Sequence, residues 1–305
     1  MPQLISRRNG ANDIAICPFR SINIHDCSPV LSTFVEEVVD WDFPDVEMAR
    51  AVAIKVLPST RPYLIVQYRD SMISWRRFAG VDNRHENYRN VVTKVTTGVC
   101  TIRPSGPLGA ILARLKPEAA AHLLGERLDC FADSKIDLGD VFDAHEIRLL
   151  EERVSEAPSS SDRLSAVAQF LCAHACPRER DPDPVICQAV ARLRRNPSLR
   201  VRRLAENLDV SERHLLRKFQ SIFGMSPKQF ARFARIEKVL AARQNGAGWA
   251  DIAYGCGFAD QAHMISDFNA VLGAPERALL PASAEQRYMV DDTNADPISY
   301  DYLTW

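Results

Sequence analysis

Arg213, Leu216, Arg217 and Gln220 fall at the i, i+3, i+4 and i+7 spacing of one helical face. Two guanidiniums beside an aliphatic and an amide side chain are groups suited to nucleic-acid edges. Arginine donates in bidentate fashion to guanine, an apolar side chain packs on a thymine methyl, and amide or cationic groups hold phosphate oxygens. The other side of the same helix carries Leu215, Phe219 and Phe223, which anchor it to a core. Ser211 stands where an N-cap is needed, its oxygen free to accept a backbone N–H. Upstream, residues 201–208 have helical spacing with Leu204, Ala205 and Leu208 on one side, and Asp209 and Val210 interrupt them. Two short helices at a sharp turn, with small Ala205 at the crossing and a basic outer face, describe a helix-turn-helix. An ordinary amphipathic hairpin shares this pattern, so the stretch alone does not decide.

The elements around it do. Ser226 and Pro227 open a long helix to about Gln244, with Phe230, Phe233, Ile236, Val239 and Leu240 at helical spacing. A second copy of the pattern follows. Ile252 and Ala253 stand where Leu204 and Ala205 stand in the first, Gly257 takes the turn, and Asp260 is placed to cap the next helix. Met264, Phe268 and Leu272 then repeat Leu215, Phe219 and Phe223. The exits repeat as well, Gly224 and Pro227 in one copy and Gly273 and Pro275 in the other.

Charge agrees with this division. The chain of 305 residues has a net charge of −1, yet residues 183–283 hold 15 Lys and Arg against 9 Asp and Glu, a local +6. A basic module in a neutral chain is the electrostatic footprint of a nucleic-acid binder. Ahead of it, residues 176–184 contain three prolines and five charges, which continue neither a helix nor a central strand. The expected division is therefore a regulatory or dimerisation domain at 1–176 and a linker at 177–184. A double helix-turn-helix domain at 185–283 and an acidic flexible tail at 284–305 complete it.

The N-terminal part reads as β-rich. Short β-branched and aromatic runs at 51–57, 63–68, 74–81, 91–97 and 99–104 are punctuated by prolines and glycines. They predict five or six strands in a small antiparallel barrel or sandwich. Residues 32–39 fit a strand or one helical turn, and 41–44 read as a loop. Helices are expected at 117–124, 137–154 and 162–175, the last with an apolar stripe that suits either core packing or a dimer interface. The fold class is thus α+β, a β-rich domain with helices followed by an all-α one.

Residues 204–211, 223–227 and 251–261 resemble the AraC/XylS family of bacterial transcription regulators, the last stretch being close to the family's second-motif signature. Leu123, Leu124 and Gly125, with residues 137–140, are similar to the β-rich regulatory domain of some members. The resemblance implies sequence-specific binding of double-stranded DNA by two recognition helices in adjacent major-groove segments. It also implies RNA polymerase as a partner, with a small-molecule effector and a homodimer as further expectations. Base contacts are expected from Arg213, Leu216, Arg217, Gln261 and His263, and phosphate contacts from Arg202, Arg203, Lys218, Gln220 and Lys228.

Departures from the family pattern shape the mechanism. Where the family carries arginine and nearby basic residues in the second recognition helix, this chain has Ser266, Asn269 and Ala270, and Asp267 adds a negative charge. That leaves the first helix as the expected main reader. Asp209 replaces the family's turn glycine, a substitution that Asp tolerates better than most residues. The alternative is a regulator-like protein–protein interaction module with weak or no DNA binding.

Enzyme and metal chemistry find little support. The eight cysteines include no CxxC pair, and Cys172, His174 and Cys176 leave a tetrahedral site incomplete. His25, His85, His122 and His145 are isolated, so neither a metal site nor a cofactor is expected. No apolar run approaches a bilayer span, and the first residues lack a signal-peptide core, which makes the cytoplasm the expected compartment.

Overall fold

A computed structural model describes residues 19–22, 29–51, 54–56, 59–70, 72–78, 81–86, 90–93, 100–104, 106–118, 135–175, 183–244 and 248–272. Its N-terminal half contains two antiparallel sheets. Strands β1 (Phe19–Ile22), β2 (Val35–Phe43), β4 (Tyr63–Gln67), β7 (Asn90–Thr93), β9 (Leu108–Leu115) and β10 (Lys135–Asp137) form the larger, ordered β1-β2-β9-β4-β7-β10. The smaller runs β3-β8-β5-β6, from β3 (Ile54–Val56), β5 (Met72–Phe78), β6 (Val81–Glu86) and β8 (Cys100–Pro104). One helical turn, α1 (Leu31–Phe34), leads into β2, and α2 (Val46–Ala51) follows it, touching β2 and β8.

Every residue of β4 and β9 is buried, so the middle of the larger sheet is covered on both sides. Alternation along these strands sorts their side chains into two clusters. Leu64, Val66, Ile111, Ala113 and Leu115 pack with Leu150, Val154, Leu164, Val167 and Leu171 of two helices, α3 (Ala144–Glu156) and α4 (Ser160–His174). Tyr63, Ile65, Leu108, Ala110 and Leu112 instead join Trp41, Phe43 and Ala49. Asp143 caps α3 through the amides of His145 and Glu146, and Ser159 caps α4 through that of Asp162.

Where the structure departs from the sequence expectations, long-range partners account for it. Residues 41–43 are the end of β2 rather than a loop. Trp41 and Phe43 turn into the core, and the acidic residues beside them are neutralised: Tyr68 donates to Asp40 at 2.6 Å, and Arg163 of α4 bonds Asp40 and Asp42 at 3.0 and 2.9 Å. Of the described residues in the 51–57 run, Ala51 ends α2 and Ile54–Val56 form β3. The expected helix over 137–154 divides. Asp137 caps a single 3-10 turn by accepting from Gly139 at 2.8 Å, and Asp143 starts α3 afresh. Residues 119–134, and with them most of the expected helix at 117–124, lie outside the described residues, as do Cys176 and the 284–305 tail.

Among the described residues, six helices form the C-terminal part: α5 (Pro184–Arg195), α6 (Val201–Glu206), α7 (Glu212–Phe223), α8 (Pro227–Gln244), α9 (Trp249–Gly255) and α10 (Gln261–Leu272). All contribute to one core, which includes Leu193, Leu204, Phe219, Phe230, Leu240, Ile252 and Phe268. Asp183 caps α5 with Pro184 in its first turn. Ser226 opens α8 by a reciprocal capping box, accepting from the Gln229 amide at 3.2 Å while its own N–H donates to Gln229 Oε1 at 3.0 Å. No helix among the described residues is long and apolar enough to cross a membrane.

Candidate nucleic-acid interface

The two repeats agree down to single hydrogen bonds. In the first turn the Val210 amide donates to Ala205 O at 3.1 Å and the Asp209 amide to Glu206 O at 3.2 Å. In the second, Phe258 donates to Ala253 O at 2.9 Å and Gly257 to Tyr254 O at 3.1 Å. Both turns need a left-handed residue, and Asp209 (φ 52°) and Gly257 (φ 76°) supply it. The expected caps form, since Ser211 Oγ accepts from His214 N at 3.1 Å and Asp260 Oδ1 from His263 N at 2.7 Å. Gly224, at φ 66°, closes α7.

On α7, Leu215 and Phe219 are fully buried and Phe223 nearly so, which holds the opposite face rigidly outward. Arg213, Leu216, Arg217 and Gln220 line one open surface depression with Ser211 and His214. Leu216 is 46% exposed, unusual for a leucine in a helix whose other side is core. Arg217 Nη2 lies 3.1 Å from His214 Nδ1. A guanidinium only donates, so the imidazole accepts and keeps its proton on Nε2. Arg213 has no carboxylate partner among the described residues.

The residues expected at phosphates divide. Arg203, Gln220 and Lys228 are exposed. Arg202 is also exposed and pairs with Glu206 one turn along at 3.0 Å. Lys218 is different: it is half-buried and ion-paired with Asp183, the residue that caps α5. Burial pushes the Asp183 carboxyl up, but bonds from Lys218 and the Val185 and Ile186 amides outweigh it and hold the group below its ordinary value.

On α10 the outward positions are Gln261, Ala262 and Ser266, all exposed. His263 takes part in the turn itself. Its Nδ1 accepts from the Ala259 amide at 3.3 Å and its ring stands edge-on to Phe258, centroids 5.5 Å apart, which leaves Nε2–H as its remaining donor. Asp267 does not point its charge outward. Arg232 of α8 holds it at 2.9 Å and Arg235 approaches to 3.9 Å. The α10 surface is thus short of positive charge without being made acidic.

Two residues carry signals that periodicity did not flag. Tyr254 on α9 is 88% exposed, the most exposed large hydrophobic side chain described. Glu237 on α8 is 7% exposed. Its sequence signal is a helix apolar round most of its circumference with one acid among Ala234, Ile236, Val239 and Leu240. Among the described residues no group of His, Cys, Asp and Glu could hold a metal. His174 is engaged by Phe170 O at 2.9 Å and Glu146 at 3.1 Å.

Residues 204–279 match a family model described as a helix-turn-helix domain. No curated protein matches the chain. Among solved structures, unsaturated fatty acid-bound ToxT from Vibrio cholerae strain SCE256 is 14% identical with a TM-score of 0.46, over 83% of this chain and 97% of that one. The AraC-like transcriptional activator CuxR is 16% identical (TM-score 0.25, 69% and 78% covered). The xylose-binding transcription activator xylR is 13% identical (TM-score 0.28, 39% and 38% covered).

Proposed function

We propose that this chain is a DNA-binding transcriptional regulator of the AraC type, a reading supported by the helix-turn-helix domain matched at residues 204–279, and that its two units read adjacent major-groove segments unequally. The first recognition helix, α7, supplies most of the affinity and α10 a smaller share. The observation that carries this reading is the contrast between the outward faces. Arg213, Leu216, Arg217 and Gln220 line one depression on α7, while α10 offers Gln261, Ala262 and Ser266 and has its one carboxylate tied to α8. Arg213 and Arg217 are the guanine readers, Leu216 packs on a thymine methyl, and Gln261 reads adenine, with His263 donating through Nε2–H. Arg202, Arg203, Gln220 and Lys228 hold phosphates and set the register. Residues 185–283 act as the DNA-binding unit and 1–176 as the regulatory or dimerising one, joined by 177–184, with RNA polymerase as the second partner and activation as the outcome.

Footprinting on DNA flanking the gene tests this directly. The expected result is two protected segments about 10 bp apart on one face of the duplex, the stronger one lost in Arg217→Ala. Retained self-association with no protection even at low salt would instead make the chain a protein–protein interaction module.

A further inference from the structure

Glu237 belongs to the C-terminal core helix α8, yet its carboxylate is bound entirely from the N-terminal half. Ser59 Oγ donates to Oε1 at 2.9 Å, the Thr60 amide at 2.5 Å and Thr60 Oγ1 at 2.9 Å, while Arg61 Nη1 donates to Oε2 at 2.8 Å. These donors come from the segment just before β4, 176 to 178 residues away in the chain. Arg61 then carries the link onward to Glu36 at 2.7 Å, and Glu36 also receives Arg114 at 3.2 Å and Arg194 of α5 at 2.9 Å. A register shift in β2 between Val35 and Glu37 opens the ladder at Glu36. Such a bulge re-aims a side chain, and here it delivers that carboxylate to three arginines.

The position of Glu237 on α8 gives this contact a direction. At about 100° per residue it lies about 140° round the helix from Arg232 and about 200° from Arg235. Those two arginines hold Asp267 of the second recognition helix. The helix is therefore gripped on one side by the N-terminal half and itself grips α10 on the other. No corresponding bond joins the N-terminal half to α7 among the described residues; the first unit's own staple, Lys218 to Asp183, stays within the C-terminal part.

We propose that Glu237 is a positioning residue for the second recognition helix, so that its contact with the N-terminal half sets how well α10 meets its groove, while the first unit is reached separately, through Glu36 and Arg194 of α5. The proposal rests on the two-unit reading above. Glu237→Gln keeps the shape but removes the charge and turns an amide donor toward the donors of Thr60 and Arg61. Ser59→Ala with Thr60→Val weakens the same contact from the other side and leaves the C-terminal part unaltered. In footprints of the full chain, each change is expected to weaken protection of the second segment about five- to tenfold, the scale of a modest coupling between sites, and to leave the first segment unchanged.

Equal loss at both segments would make Glu237 a general stability residue and overturn the proposal. So would unchanged protection, or a loss in Glu237→Gln that Ser59→Ala/Thr60→Val does not share. If the unaltered chain protects no second segment, the two-unit reading fails together with this one.

Discussion

A guanidinium held out from a helix whose far side is buried has little left to order, so the proposed base contact of Arg217 would be made at small entropic cost. Arg217→Ala is expected to cost about 1–3 kcal/mol of DNA binding and to relax preference at one base pair. Arg217→Lys should restore charge without the bidentate fork, recovering affinity for any sequence more than discrimination. Gln261→Ala should cost less than Arg217→Ala in the same titration, and the reverse order would refute the unequal pair. The turn residues yield a second comparison, read by thermal melting. Asp209 already bears the left-handed strain, so Asp209→Ala removes only its local tolerance and should cost about 1 kcal/mol. Gly257→Ala should cost more, about 2 kcal/mol, because it adds that strain and drives a Cβ to 2.3 Å from Ser198 Oγ.

Between elements, one carboxylate does two tasks. Asp183 caps α5 and holds Lys218 of α7, so the first recognition helix is stapled to the helix that begins the C-terminal part. Its folded-state carboxyl lies below the ordinary value, hence its contribution is complete above the unfolded value of about 4 and is lost as pH falls through the folded one. Acid titration of stability should show this loss, and Asp183→Asn, which still caps, should flatten that part of the profile. The sequence shows the caps at Ser211 and Asp260 because each is satisfied within three residues, and it shows the two turns because they need unusual backbone. It hides the second part of β2, where Asp40 and Asp42 become acceptable in a sheet only through Arg163, more than a hundred positions downstream. It hides Glu237 for the same reason. The pairing of Lys218 also escapes it, since helical spacing places a lysine beside the reading face without revealing a partner at the start of another helix.

For the molecule as a whole, charge is segregated: the chain is −1 while residues 183–283 are +6, so the remainder carries −7. Duplex DNA attracts the first part and repels the rest, which confines approach to the helical end and makes binding salt-dependent. The slope of log Kd against log salt counts the cations that displace counterions, and it separates cations that reach phosphate from those already paired within the fold. Lys228 is exposed on the first turn of α8, so Lys228→Ala should lower that slope by about 1. Lys218 is spent on Asp183, so Lys218→Ala should lower the melting temperature and leave the slope as it was. Slopes unchanged from the unaltered chain in both variants would mean that neither lysine meets phosphate. A lowered slope in Lys218→Ala would mean that the Asp183 staple opens on DNA, with α7 then held by the duplex instead of by α5.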